Sequence, residues 1–214
     1  MDTNSLLSGI KLIPAIIIGL TVHEFTHAFI AYKLGDTTAK DDGRLTLNPI
    51  KHIDIVGFIM IFIAGFGWAK PVLVNPAAYK NPKRDEIAVS VAGPISNLLV
   101  AVFFLLLIKV WITIDKFSLV TDNRLVFEIL TACVSINLGL FVFNLLPVPP
   151  LDGSHLYLAF MKNRFEKLTE YLTKYGLLVL LFIIIIEKNM KIDIIPIGKL
   201  ITALLGFLTW AMGF

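Results

Sequence analysis

The sequence predicts an all-α protein that crosses a membrane several times. Three observations carry that prediction. Of 214 residues, 57% are hydrophobic, and the mean hydropathy is +0.81. Only 16% are charged, against about 25% in a soluble domain. The apolar residues also fall in runs near the length that a bilayer demands, about 20 for a spanning helix.

Taken in order, residues 6–32 supply a first span, broken only by Lys11 and a polar group at 23–27. No basic stretch or small-residue cleavage site accompanies this run, so it reads as a retained helix rather than a signal peptide. Residues 33–52 are polar. Residues 53–69 are apolar but short, with Gly57, Gly65 and Gly67 inside and Lys70-Pro71 at the end, which suits a short span or a re-entrant segment. PVLVNP, 71–76, is strand-like, giving a re-entrant and short-strand region around 53–76. Residues 87–112, 125–146, 170–187 and 194–213 read as further helices, for about five to six in all. Between the second and third of these lies LLPVPPLDGSH, a proline-broken segment.

Charge counting chooses between the topologies. Loops 33–54, 70–86 and 147–174 hold twelve of the 19 basic residues. They share one side only if 53–69 re-enters. The positive-inside rule prefers that arrangement, with the N-terminus outside, five full spans and the C-terminus inside. A net charge of +3 is too small to suggest nucleic acid. The single cysteine, Cys133, excludes an internal disulfide and a CxxC zinc knuckle, and reads as a small buried hydrophobe.

The polar group in the first run is His23-Glu24-Phe25-Thr26-His27, an HExxH pattern. Four residues on a helix separate the histidines by about 40° around the axis, so both imidazoles reach one metal ion. Glu24 can then reach a metal-bound water as general base. Five residues alone are a weak signal. Ionisable groups in a membrane segment are costly, however, and mark a function by default. A catalytic zinc wants a third protein ligand. The loop acids Asp36, Asp41 and Asp42 are one source. The candidate at membrane depth is Asp152, behind Pro147, Pro149 and Pro150, where broken backbone is tolerated if it lines a cavity. His155, three residues on, is the rival ligand.

With HEFTH, Asn144-Leu145-Leu146-Pro147, Leu151-Asp152-Gly153 and Ala92-Gly93-Pro94-Ile95-Ser96-Asn97 together, the chain resembles the site-2 proteases, intramembrane zinc metalloproteases. The motifs occur in the family's order over residues 23–153. The resemblance implies one zinc ion on His23, His27 and Asp152, with Glu24 as general base. It implies that Asn144 helps hold the substrate strand or the oxyanion. Asn97 is then a substrate-side residue or a helix contact. His52, in GRLTLNPIKHIDIVG, is either a gating residue or an interfacial histidine. The implied arrangement is one metalloprotease domain over 1–214, with a catalytic core of about 6–160 and added helices at 170–187 and 194–213. It is a minimal form without PDZ or CBS domain, so regulation falls to a separate protein.

The expected partners are the bilayer and a substrate's transmembrane helix. The expected location is the cell membrane, with the site nearer the cytoplasmic face. The alternative is a membrane metal-binding protein or metal transporter using the same His and Asp residues. Such a protein does not need Glu24, and no internal repeat of the transporter kind is present.

Overall fold

In hydrocarbon every backbone polar group must be paired within the protein, so long apolar runs become helices. A computed structural model describes residues 3–64, 67–115, 124–161, 165–190 and 194–214. Gly65 of the third segment, and Lys162 and Arg164 of the charge count, lie outside them. The helices are α1 (Thr3–Lys33), α2 (Thr38–Asp41), α3 (Ile55–Ala64), α4 (Pro82–Asp115), α5 (Arg124–Asn144), α6 (His155–Met161), α7 (Glu166–Met190) and α8 (Ile197–Ala211). Among the described residues no strand forms, and the all-α multi-pass prediction holds.

Stretches of α1, α4, α5 and α7 are long and apolar enough to cross a membrane. α8 has 15 residues, about 22 Å, and falls short of a core about 30 Å thick. Its C-terminal end lies beside α4, where Lys109 Nζ donates to the Met212 carbonyl. The chain therefore ends near the end of α4 that is remote from the basic loops. Charge counting expected it on the loops' side, because it counted residues 194–213 as a full crossing.

The region 53–76 is re-entrant in form. α3 has ten residues, about 15 Å. A single antiparallel bridge pairs Ile53 with Ala69, and Lys70 N–H donates to the His52 carbonyl at 2.9 Å. The segment thus returns to the side it left. PVLVNP makes no ladder. It is extended, and side chains from elsewhere take its backbone groups.

α1 ends where Gly35, at φ +106°, lets the chain turn back: Gly35 N–H bonds Tyr32 O and Asp36 N–H bonds Ala31 O. α4 begins with Pro82, whose missing N–H costs nothing at a first helical position. α1, α4 and α5 pack against one another to form the centre of the protein. One apolar cluster joins Ala101, Leu105 and Ile108 of α4 to Val134 and Leu138 of α5, with Leu204 and Leu208 of α8 against it. Lys11 of α1 pairs with Glu128 of α5, three turns before the HEFTH group. The ion pair satisfies two charges that lipid would penalise singly.

Candidate metal centre

α1 presents His23, Glu24 and His27, all nearly buried. The two imidazoles stand edge to face, with ring centroids 4.6 Å apart. Their Nε2 atoms approach to 3.0 Å. The third member arrives from behind the proline break. α5 stops at Asn144, the chain turns through Pro147–Pro150, and Asp152 opens a short 3-10 turn, Asp152–Ser154. Asp152 Oδ2 lies 3.0 Å from His23 Nε2 and 3.3 Å from His27 Nε2. The turn is locked in place. A Cβ at Gly153 would sit 2.2 Å from the Leu145 carbonyl, and Ser90 Oγ of α4 donates to the Asp152 carbonyl at 2.9 Å.

The surroundings dictate which nitrogens carry protons. His27 Nδ1 lies 2.8 Å from the Val89 carbonyl, which only accepts, so Nδ1 holds the hydrogen. His23 Nδ1 lies 2.7 Å from Asn97 Oδ1. The Asn97 amide has one possible orientation, because its NH2 donates to the Gly19 carbonyl and to Asn137 Oδ1, both at 3.0 Å. Asn137 is oriented in turn by donating to the Cys133 carbonyl at 2.8 Å. His23 Nδ1 therefore also holds a hydrogen. In neutral imidazoles both Nε2 atoms are then bare lone pairs, and they face a carboxylate oxygen that no hydrogen-bond donor serves.

Three acceptors converging in a largely buried space suit a cation. His23, His27 and Asp152 offer one ligand atom each, all within 4.8 Å of one another, and the donor set suits a divalent transition metal. A glycine forms the adjoining wall. A Cβ on Gly93 would lie 2.4 Å from His27 Nε2 and 2.8 Å from His23 Cε1. Gly93 and Asn97 are four residues apart on α4, so one helix face provides both the space and the orienting amide.

Glu24 stands outside this trio. Its Oε2 accepts the Val72 N–H at 2.9 Å, and the described residues give Oε1 no partner. His155 bonds Glu86 at 3.0 Å and takes no part in the cluster. Asn144 donates to the Leu140 carbonyl of its own helix at 3.0 Å. His52 is fully buried, with Nε2 2.7 Å from the Thr46 carbonyl. The structure thus brings together His23, His27 and Asp152, ties Asn97 to His23, and leaves Asn144 and His52 with partners of their own.

Sequence reading did not find Asn137, Ser90 or the Val72 amide. Asn137 had a signal, an amide inside an apolar run. Ser90 and Val72 had none, because their contacts depend on how distant segments dock.

The profile of peptidase family M50 matches residues 11–186. YwhC of Bacillus subtilis (strain 168) is 46% identical over 144 residues, covering 66% of this chain and 65% of that protein. Rip2 of Mycolicibacterium smegmatis is 33% identical over 150 residues, covering 67% of this chain and 54% of its own. MJ0611 of Methanocaldococcus jannaschii is 30% identical over 136 residues, covering 63% of this chain and 62% of its own. Each bears the name "putative zinc metalloprotease". The chain thus spans less than two thirds of these curated relatives. No solved structure matches it with significance. The profile runs from the first long helix to the fourth and takes in HEFTH, Gly93, Asn97 and Asp152, so the chain belongs to peptidase family M50, the site-2 proteases.

Proposed function

We propose that this chain is an intramembrane zinc metalloprotease. It hydrolyses a peptide bond in or near a transmembrane segment of another membrane protein. The observation that carries this is the convergence of two bare imidazole nitrogens and an unserved carboxylate oxygen beside a fixed glutamate. His23, His27 and Asp152 hold one zinc ion. When bound, zinc supplies Lewis acidity and lowers the pKa of a coordinated water to about 7. Glu24 is the general base. It accepts the proton of the attacking water and returns it to the leaving amine. The Val72 N–H holds one of its oxygens, leaving Oε1 for this task. Gly93 keeps the wall open, and Asn97 holds His23 in the required tautomer.

A substrate helix must unwind before its backbone can be cut. The extended segment 71–76 offers an edge for the unwound strand. Leu73 and Val74 are exposed there, while the chain on either side is bonded into the protein. Pairing along that edge supplies backbone bonds without sequence preference. Proline at Val74 should weaken substrate binding, and unchanged cleavage would remove the edge from the mechanism. Asn144 serves the substrate strand or the oxyanion from the end of α5, and His52 supports the loop beneath that edge.

The catalytic domain is residues 1–214, with its core over about 6–160. It resides in the cell membrane with the site toward the basic, cytoplasmic loops, and a separate protein governs access. Metal analysis and cleavage of a model transmembrane substrate by wild type and Glu24→Gln test the proposal. Zinc in both, with cleavage only in wild type, is the expected result. Absence of zinc from both, or equal cleavage by both, overturns it.

A further inference from the structure

Residues 70–75 cross above Glu24 as a strap fixed at both ends by side chains from the loop that follows α1. Arg44 is buried at 3% exposure. Its guanidinium donates to the Lys51 carbonyl and, at 2.6 and 2.9 Å, to the carbonyls of Lys70 and Pro71. Among the described residues no carboxylate is bonded to it. Its two Nη atoms are spent on backbone oxygens, two of the three belonging to the strap, while Nε is buried without a partner among the described residues. At the other end, Asp36 is buried at 1% exposure. Its Oδ2 accepts the Asn75 N–H at 2.6 Å and its Oδ1 the Thr38 N–H at 2.9 Å. Between these pins, the Val72 N–H reaches Glu24.

A buried guanidinium and a buried carboxylate are costly to install on a loop that needs only to turn. Both are justified if the strap must be held to a fraction of an ångström. An extended segment with two exposed apolar residues and no ladder would otherwise drift. The planar fork suits adjacent carbonyls in a way that a lysine ammonium does not.

We infer that Arg44 and Asp36 are positioning residues that act through the strap, holding the Val72 amide against Glu24 so that one carboxylate oxygen is anchored and the other is aimed. This rests on the metalloprotease reading for its kinetic consequence and on geometry alone for the strap itself. It explains why a loop remote from the metal trio buries two opposite charges that do not pair with each other.

The test uses the full chain in detergent or bilayer, loaded with zinc. Arg44→Ala should lower kcat for a model transmembrane substrate about 10- to 100-fold, as misplacing a reacting group does. KM should rise by a smaller factor than kcat falls, since the strap also offers the substrate edge, and zinc content should be full. Amide exchange read by mass spectrometry over 69–76 should quicken, while exchange in α1 and α4 does not. Val72→Pro, which removes the N–H, should reproduce the kcat loss. The double variant should be no slower than Val72→Pro alone, because both act at one bond. Arg44→Lys should recover only part of the rate.

Wild-type rate and exchange in Arg44→Ala overturn the inference. So does multiplicative loss in the double variant, or zinc lost in step with rate. If Arg44→Ala does not fold, Asp36→Ala releases the other end and must quicken exchange over 69–76 and lower kcat; failure there has the same force. The exchange measurement needs no cleavage. It therefore decides the strap even where equal cleavage by Glu24→Gln and wild type has overturned the metalloprotease reading.

Discussion

The two ends of the chain use apolar helices differently. In α1, 44% of the membrane-compatible window is buried inside the protein, and in α4 39%, whereas in α7 the share is 11%. α1 and α4 are near neighbours because they share polar work: two imidazoles, an amide, a glycine wall and a serine meet between them. α7 turns Leu177, Leu178, Val179 and Phe182 outward, buries Leu180 and makes a tight approach at Gly176. Hydropathy therefore says little about role. Buried polar groups decide which helices must hold an exact distance, and the rest need only be compatible with lipid.

Substitutions at single positions can break that contrast. Gly93→Ala should have the largest effect. Its methyl would enter the space of His27 Nε2, so metal content and cleavage should both be lost. Retained zinc would mean that the wall can yield and that the core is less tightly built than described. Asn97→Ala comes next. It removes the acceptor from His23 Nδ1, and metal affinity should drop about 10- to 100-fold, measured by competition with a chelator.

Gly176→Ala probes a place where α7 meets the turn behind the site. A Cβ there would lie 2.4 Å from the Pro149 carbonyl, in the turn that delivers Asp152. Overpacking of this kind costs about 1–3 kcal/mol, and the thermal midpoint should fall. In α8, Gly206→Ala meets nothing within 4 Å. It should leave cleavage unchanged and stabilise the helix by up to about 1 kcal/mol. A large loss of activity from Gly206→Ala would erase the division between centre and periphery.

A smaller effect concerns pH. Burial pushes the Asp36 carboxyl upward, but the bonds from Thr38 and Asn75 outweigh it and hold the group below the ordinary carboxylate range. A depressed folded value means stability that is fully present above the unfolded value, about 3.9, and is lost as pH falls below it. The thermal midpoint should therefore fall more steeply below about pH 4 in wild type than in Asp36→Ala.

Much of this was legible in the sequence because covalent spacing carried it. HEFTH fixes two imidazoles on one helix face whatever surrounds them. GPISN fixes Gly93 and Asn97 on one face, and the prolines before Asp152 announce a break. The re-entrant form of 53–69 was legible from the distribution of basic residues. What escaped depends on docking between segments far apart in sequence. PVLVNP has the composition of a strand, yet Glu24, Arg44 and Asp36 take its backbone groups, so no ladder forms. Residues 194–213 have the composition of a span, but the helix is confined to Ile197–Ala211. Composition cannot count crossings when a helix ends early.

The chain of amides behind His23 has a consequence for the charge of the centre. Soluble zinc sites often brace an imidazole with a carboxylate. Here Asn97 braces His23 and Asn137 holds Asn97, and both are neutral. With a divalent ion in place, its two positive charges are matched by one negative charge each from Asp152 and Glu24, and the centre is electrically neutral. A third carboxylate among these largely buried groups would leave an unbalanced anion. A neutral amide would let a metal ion sit among apolar helices with no charged group beyond those two carboxylates.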